Sequence, residues 1–317
     1  MLINEIIDEI ADIDKPIVNS HLADLAQITP KDFKNYSDVW KTIELKRRRE
    51  IITRLVELVA DNVELNFDPI FRSCLNDTDA EVKSTAIDGL WENEDPSLIP
   101  SFINLLNTEA SEEVQTSAAM GLGRFALMAE LGSISHHYGN MIGEALLAVI
   151  NDKSKTIDVR RRGLEAIASL NSQEVNETIK NAYNSRDERM MVSAIYAMGR
   201  NCNPHWMPIL LKELDNHDAE IRYEAVSACG KMGTEEIVSH LLPLSKDLDT
   251  DVQLATIEAL GKIGGNEAKR YLHENSNDSN EAIREAIEQA LAEVEAHEDM
   301  ALFQSSSSSR EHDDRRN

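Results

Sequence analysis

The sequence predicts an all-α protein, an α-solenoid of stacked helical hairpins with a period of about 31 residues. With only 13 glycines and 8 prolines in 317 residues, the composition argues against a turn-rich β protein. An apolar residue that follows a short polar turn recurs along the chain, and its last four intervals are each 31 residues. These anchor residues are Val82, Val114, Val159, Met190, Ile221, Val252 and Ile283. A fixed period of this length is the signature of a repeat architecture.

Each unit carries the pattern of an amphipathic helix around its anchor. A small residue stands four positions after the anchor in five units, and an apolar residue stands eight positions after it in all seven. These positions form one stripe of an α-helix, where small residues let a neighbouring helix approach closely. Good N-cap residues stand three positions before the anchor, namely Asp79, Ser111, Asp187, Asp218, Asp249 and Asn280. A shorter apolar segment precedes this helix, as in IPSFINLL, MPILLKEL and IVSHLLPL, so each unit is predicted to be a helical hairpin.

The phrases DAEVKSTAIDGL, DAEIRYEAVSACG and DTDVQLATIEALG show a common order of acidic, aliphatic and small residues. A proline-bearing helix precedes the repeat helix in several units, at Pro100, Pro208 and Pro243. This combination resembles HEAT repeats, in particular the short class named after phycobilisome lyase HEAT-like repeats. The resemblance covers about residues 69–296 and implies the solenoid fold. It implies no single activity, since such repeats occur in scaffolds, chromophore lyases and an iron hydroxylase.

The ends of the chain depart from the period. Residues 1–68 are expected to form an N-terminal helical cap of three helices, the last long and continuous across YSDVWKTIELKRRREIITRLVELVADN. The solenoid is expected over 69–303, and the serine-rich residues 304–317 form a flexible, disordered tail. Two basic runs, Lys46–Arg49 and Arg160–Arg162, leave two readings open: a solvated helix face or an anion contact. The solvated face is favoured in so acidic a chain.

The 45-residue interval between Val114 and Val159 contains an insertion of 14 residues, within 125–141. We expect a plain, extended loop between repeats there. The loop carries the adjacent histidines His136 and His137, which raises metal binding or pH sensing as the alternative. No acidic or cysteine residue stands at ligand spacing beside them, so the plain loop is favoured.

The charge balance narrows the class of partner. There are 57 acidic and 32 basic residues, a net charge of −25, which repels nucleic acid and anionic membranes. The start, MLINEIIDEIADIDK, lacks the pattern of a signal peptide, and no apolar run is long enough for a membrane span. Three widely spaced cysteines favour reduced thiols. We therefore expect an acidic cytoplasmic protein that binds another protein, with no nucleic acid or membrane partner.

No motif of an active site stands out. The sequence has no GxSxG, no phosphate-binding loop, no CxxC and no HExxH, so no catalytic residue, metal ligand or cofactor is predicted. In deoxyhypusine hydroxylase, a HEAT-like enzyme, His-Glu pairs just after the anchors of several repeats hold iron. No histidine stands at the matching positions of this sequence, so the iron-hydroxylase reading fails. A phycobilin-lyase-like role is harder to exclude, although Cys229 occupies the buried stripe of its helix and fits a small hydrophobic residue better.

The concave face of the solenoid offers the candidate site. Ten positions after the anchor, four of seven units carry a basic residue, and each follows a glycine: Arg124, Arg200, Lys231 and Lys262. These cations have two explanations: a structural one, since cations are favoured at helix C-termini, and a functional one, a basic column that accepts an acidic segment. Tyr196 and Tyr223 are candidate aromatic anchors for a partner. One position after the anchor, Lys83, Arg160, Arg222 and Arg284 are expected to pair with the acidic group of the preceding turn and to stabilise the stack.

The sequence therefore predicts a non-catalytic scaffold or adaptor that binds a protein partner along the concave helix face. The alternative is a phycobilin-lyase-like or chaperone-like assistant that holds a cofactor and its acceptor protein. The repeat class favours neither one, and the absence of catalytic motifs favours the scaffold.

Overall fold

The computed structural model describes residues 3–296, in which no β-strand occurs. It confirms the predicted fold class, an all-α solenoid of helical hairpins. The chain divides into two compact units between Leu170 and Asn171. The predicted tail, 304–317, lies outside the described residues, as does the predicted end of the solenoid after 296. The predicted limits of the cap, at 68, and of the solenoid stay predictions.

The first unit contains ten α-helices within its described residues. They are α1 (Ile3–Ala11), α2 (Asn19–Asp24), α3 (Pro30–Trp40), α4 (Leu45–Asp61), α5 (Asp68–Cys74), α6 (Ala80–Gly89), α7 (Ile99–Thr108), α8 (Glu112–Glu130), α9 (His136–Asn151) and α10 (Ile157–Ile167). The second unit contains α11 (Gln173–Tyr183), α12 (Glu188–Asn201), α13 (Met207–Glu213), α14 (Ala219–Met232), α15 (Val238–Leu241), α16 (Thr250–Ile263), α17 (Gly265–Glu274) and a helix over 281–296, here α18. Short 3-10 turns lead into α7, α13 and α15.

The repeat pattern places the core. All seven anchors are buried, at 7% exposure or less, and the residues four positions after them are buried as well. The predicted N-caps are in place; for example, the Asp187 carboxylate accepts from the backbone N–H of Met190 at 3.2 Å. Thr156 caps α10 in the same way, on Val159, although the sequence argument passed over it. The anchor stripe and its cap therefore position each repeat's second helix.

Cations one position after the anchor stabilise the stack, but with different partners from those predicted. Lys83 Nζ lies 2.5 Å from Glu109, and Arg222 forms a two-pronged pair with Asp247 at 2.7 and 2.8 Å. Both carboxylates belong to the turn of the following unit, so the expected pairing with the preceding turn is wrong. Arg222 does reach its own preceding turn, where it binds backbone carbonyls instead of a carboxylate.

Within residues 3–296, Arg160 and Arg284 have no carboxylate in this role. The Arg160 guanidinium donates to the carbonyl oxygen of Ile150, and that of Arg284 donates to the carbonyls of its own turn. In the same basic run, Arg161 pairs with Asp158, and Arg162 pairs with Glu165. The run at 160–162 is therefore held by contacts within its own hairpin.

Within its described residues, 3–68, the cap contains four complete helices where three were predicted. The long helix expected around residues 36–62 is broken at 41–44, and α3 precedes the break. Ile43 is buried in the break, and the Trp40 indole N–H donates to Asp77 at 2.7 Å. These tertiary contacts accompany the break, where packing overrides the helical pattern of the sequence.

The basic run in α4 is neither a solvated face nor a free anion site, which corrects the favoured reading. Arg47 is 2% exposed and donates to the backbone carbonyls of Ile10 and Lys15. Arg48 binds the Asp77 carboxylate at 2.5 Å, and Arg49 binds that of Asp79 at 2.7 and 3.0 Å. Arg47 thus ties α4 to the rest of the cap, Arg48 and Arg49 fasten the cap to the first repeat, and within this run only Lys46 is exposed.

The insertion is not an extended loop, so that expectation is wrong. α8 runs for 19 residues and α9 for 16, and only residues 131–135 separate them. Most of the extra chain lengthens the hairpin. An apolar stripe continues through Phe125 and Ala129, which are at most 2% exposed, and it keeps the backbone helical.

Neighbouring second helices approach unusually closely at one point. The glycines that precede the basic column lie against an alanine of the next repeat: Gly123 on Ala166, Gly199 on Ala228, Gly230 on Ala259 and Gly261 on Ala290. A methyl group added at Gly230 would lie 2.8 Å from the Ala259 Cβ and 2.9 Å from its Cα. These glycines are therefore spacing elements of the stack.

Candidate functional site

The second unit presents a groove on its layer of second helices. α12, α14 and α16 pack side by side, with the first helices of the hairpins on the other side. An open groove of about 870 Å³ is lined by α14, α16 and α18. Its floor includes small residues such as Ala255 and Ala290, which leave room above the helices. This is a surface suited to an extended partner.

The groove is acidic, with one lysine and one prominent aromatic ring. Its carboxylates come from Glu220, Asp249, Asp251, Glu258 and Glu293. Tyr223 lies at its edge and is 39% exposed. Lys262 also lines the groove, but its ammonium is paired with Glu258 four residues earlier. The field in the groove is therefore negative, which is the opposite of the sign predicted for this face.

Three members of the basic column lie close together on this layer. Burial of its amine lowers the pKa of Lys231, charge repulsion from the nearby Arg200 and Lys262 adds to this, and Glu224 opposes it. The Lys231 side chain is exposed as a whole, but its ammonium lies 5.3 Å from the Tyr196 ring centroid, a cation–π distance. Arg200 is exposed. The column is thus a local basic patch at the C-terminal ends of α12, α14 and α16.

Arg124, the fourth member, belongs to the first unit. It stands on α8 with its side chain 17% exposed, 3.8 Å from Glu94 and 5.8 Å from the Phe125 ring centroid. It is therefore partly buried and partly neutralised. That the six predicted site residues bind a partner stays a prediction; they are Arg124, Arg200, Lys231, Lys262, Tyr196 and Tyr223.

The cysteines and histidines form no reactive cluster in the part of the chain that the structure describes. Burial raises the pKa of the Cys229 thiol to about 12, and Cys74 is buried as well, whereas Cys202 is exposed. His136 and His137 are exposed in the first turn of α9. Residues 3–296 contain no group of three or more His, Cys, Asp or Glu that could hold a metal ion. In the same range, no helix has the length and apolar character needed to cross a bilayer.

The groove carboxylates were missed by the sequence argument, although a signal was present. The residue just before the anchor is acidic in five units: Glu81, Glu113, Asp158, Glu220 and Asp251. Acidic residues are also favoured in the first turn of any helix by its dipole, which hides their effect on a surface. Only the structure shows that Glu220 and Asp251 face the same groove.

Comparison with known proteins agrees with this architecture. A family model described as HEAT repeats matches residues 207–292, which contain most of the groove. Residues 207–292 are therefore similar to HEAT repeats. No curated protein matches the sequence.

Solved HEAT-like structures share the fold at low sequence identity. The complex of CpcE and CpcF of phycocyanin lyase from Nostoc sp. PCC7120 has a TM-score of 0.50 and 14% identity, covering 90% of this chain and 97% of that chain. The Kap95:Nup1 complex has a TM-score of 0.55 and 12% identity, covering 92% and 46%. A Kap95p structure with RanGDP has a TM-score of 0.52, again at 12% identity and covering 92% and 46%. At such identities these likenesses establish the fold alone.

Proposed function

We propose that this protein is a non-catalytic scaffold that binds a segment of another protein along the second helices of residues 188–296. The observation that carries the proposal is the open groove of about 870 Å³, with Tyr223 at its edge. Tyrosine supplies a large amphipathic contact surface and is enriched at binding hot spots. The proposed compartment is the cytoplasm, where the thiols of the protein stay reduced.

The charges of the face define the partner segment. Glu220, Asp251 and Glu258 are exposed, so the part of the segment above the groove is cationic. Arg200 and Lys231 favour an acidic residue further along, beside Tyr196. A segment with this order of charges is attracted both by the acidic groove and by the basic patch of Arg200 and Lys231. A segment with another order brings like charges together at one of the two places and is repelled.

The test is affinity capture from native lysate with matched charge reversals. The double variant Glu220→Lys/Glu258→Lys reverses the groove, and Arg200→Glu/Lys231→Glu reverses the basic patch. The control, Glu174→Lys/Glu177→Lys, makes the same change on exposed positions of α11, in the other helix layer. All four proteins are first checked for equal helicity by circular dichroism.

A partner that the wild type and the control retain, and that the groove variant loses, supports the proposal. Equal retention by the groove variant refutes the assignment of the groove. If only the variant of Arg200 and Lys231 loses the partner, then the basic patch alone is the binding surface. If the wild type retains nothing, the scaffold function is refuted for that lysate.

A further inference from the structure

A second cavity lies in the first unit, between the end of α4, the start of α5 and the end of α6. It encloses about 510 Å³, and much of its wall is apolar, with Val56, Val59 and Val63 on one side and Trp91 on another. Val63 is 89% exposed and Trp91 is 50% exposed. Such neighbouring exposed apolar side chains mark an interaction surface more often than chance exposure.

Trp91 has no counterpart among the other repeats. It stands nine positions after its anchor, where the other units carry only glycine or alanine: Gly123, Ala168, Gly199, Gly230, Gly261 and Ala292. The four glycines in this set allow the close approach to the next helix. An indole cannot take that place, so the Trp91 ring lies at the surface and lines the cavity. Repeat packing therefore does not explain the tryptophan.

The charged residues that line the cavity are all acidic, and Arg72, which donates to the lining residue Asn93, is already paired with Asp95. Asp68, Asp88 and Glu92 line it, and no lysine or arginine does. Asp68 accepts from the Asn93 amide, whereas Asp88 and Glu92 have no ion pair within residues 3–296. Loss of hydration, helped by repulsion from Glu113, raises the pKa of the Asp88 carboxyl, as expected for a carboxylate that lacks a cation. A cation brought to this place would relieve that repulsion.

We propose that this cavity binds a basic amphipathic segment of a partner protein, independently of the groove in the second unit. An apolar side chain of the segment packs between Val59, Val63 and Trp91. A neighbouring lysine or arginine lies over the indole, beside the carboxylates of Asp88 and Glu92. A cation over the face of a tryptophan is the strongest pairing of its kind, and tryptophan is enriched at binding hot spots. An acidic segment would meet three carboxylates and no cation, so charge complementarity selects the basic one.

The test uses a displayed library of random 12-residue peptides. Peptides that bind the Trp91→Ala protein are removed first, which discards ligands of the second unit's groove, and the remainder is selected on the wild type. The expected winners join a lysine or arginine to a large apolar residue within a few positions. Binding of a winning peptide is then followed by tryptophan fluorescence. Trp91 is the exposed reporter, because Trp40 and Trp206, the other two tryptophans, are at most 5% exposed.

Matched variants decide between this site and general stickiness. Trp91→Ala should weaken the winning peptide by about 30-fold or more, the usual cost of a hot-spot truncation. Asp88→Asn/Glu92→Gln should weaken it about 10-fold and reduce its salt dependence. Met120→Ala, which removes another side chain that is 48% exposed but lies outside the cavity, should leave affinity unchanged. Circular dichroism confirms that each variant is folded.

Three results would overturn the proposal. One is the recovery of no peptide, and another is the recovery of peptides without a basic residue. The third is a winning peptide whose affinity survives the neutral variant of Asp88 and Glu92. None of these results bears on the groove of the second unit, so the two proposals stand or fall separately.

Discussion

The glycine–alanine contact between neighbouring helices gives a prediction whose sign is unusual. In a helix, Gly→Ala normally stabilises by up to about 1 kcal/mol, because alanine restricts the unfolded chain and favours helix. At Gly230 the new Cβ would stand 2.8 and 2.9 Å from the Ala259 Cβ and Cα, against an optimum of about 3.5–4.0 Å for two carbons. Neither of these atoms can rotate away. α14 and α16 must therefore move apart.

The expected loss follows from two opposed contributions. Forcing an extra methyl group into a packed core costs about 1–3 kcal/mol, and the helix preference returns at most about 1 kcal/mol. Gly143 in α9 supplies the matched control, since a Cβ there would meet only Leu170 Cδ1, at an ordinary 3.4 Å. Gly143→Ala should therefore gain up to about 1 kcal/mol. Gly230→Ala should lie about 1–3 kcal/mol below that control.

Hydrogen exchange read by mass spectrometry is the assay, because repeat proteins open in parts and a single unfolding midpoint can mask a local change. Peptides from α14 and α16 should exchange up to about 30-fold faster in Gly230→Ala than in the wild type. Peptides from α9 should exchange more slowly in Gly143→Ala. If Gly230→Ala increases the protection of α14 and α16 over the wild type as much as Gly143→Ala increases that of α9, the steric reasoning is wrong.

Three further predictions concern buried charge, acid and thiols. Asp77→Asn should cost about 3 kcal/mol of unfolding free energy in urea, because it leaves the Arg48 guanidinium, 14% exposed, without its counter-ion. Arg222 holds the pKa of the Asp247 carboxyl below its usual range, so this pair stabilises the fold above about pH 4 and loses its effect as pH falls further. Arg222→Gln should therefore be less stable than the wild type at pH 7, with a gap that narrows in acid unfolding below about pH 4. Iodoacetamide at pH 8 should modify Cys202 alone in the native protein, as judged by peptide mass mapping, since the other two cysteines are buried.

Each of these predictions has its own check. Asp38→Asn removes a carboxylate paired with Lys41 at 3.7 Å on the surface, both side chains being more than 60% exposed, and should change stability by less than about 1 kcal/mol. Equal losses for Asp38→Asn and Asp77→Asn would contradict the burial argument. If the difference in stability between Arg222→Gln and the wild type does not depend on pH, then ionisation of Asp247 is not its cause. Equally fast alkylation of all three cysteines would show that the native state opens readily.

The periodic part of the fold could be predicted from the sequence because burial repeats with the chain. Every anchor, from Val82 to Ile283, has an apolar side chain that is buried in the core. The N-cap residue three positions earlier fixes where the helix begins, as Asp79 does for α6. The break at residues 41–44 carries no such signal. It follows from the burial of Ile43 and from the bond between Trp40 and Asp77, which are far apart in sequence.

Charge was harder to place than packing. Arg47, Arg48 and Arg49 form the same run of letters as a solvated basic patch, yet their partners come from α1, its following turn and the first repeat. The six predicted site residues fall partly together: Arg200, Lys231 and Lys262 are neighbours, and Tyr196 lies below Lys231. The acidic groove beside them depends on which carboxylates share a face across repeats, a relation that a single helix pattern does not contain.

The forward reach of the bridging cations gives the stack a direction. Arg48 of the cap holds Asp77, Lys83 holds Glu109 and Arg222 holds Asp247, in each case a carboxylate of the hairpin that follows. A repeat linked in this way gives a cation to its successor and accepts one from its predecessor. A linked repeat can therefore be followed only by one whose turn carries a carboxylate five positions before its anchor, as Asp77, Glu109, Asp247 and Asp278 do. Because each link runs forward along the chain, the two ends of a linked stretch are not interchangeable.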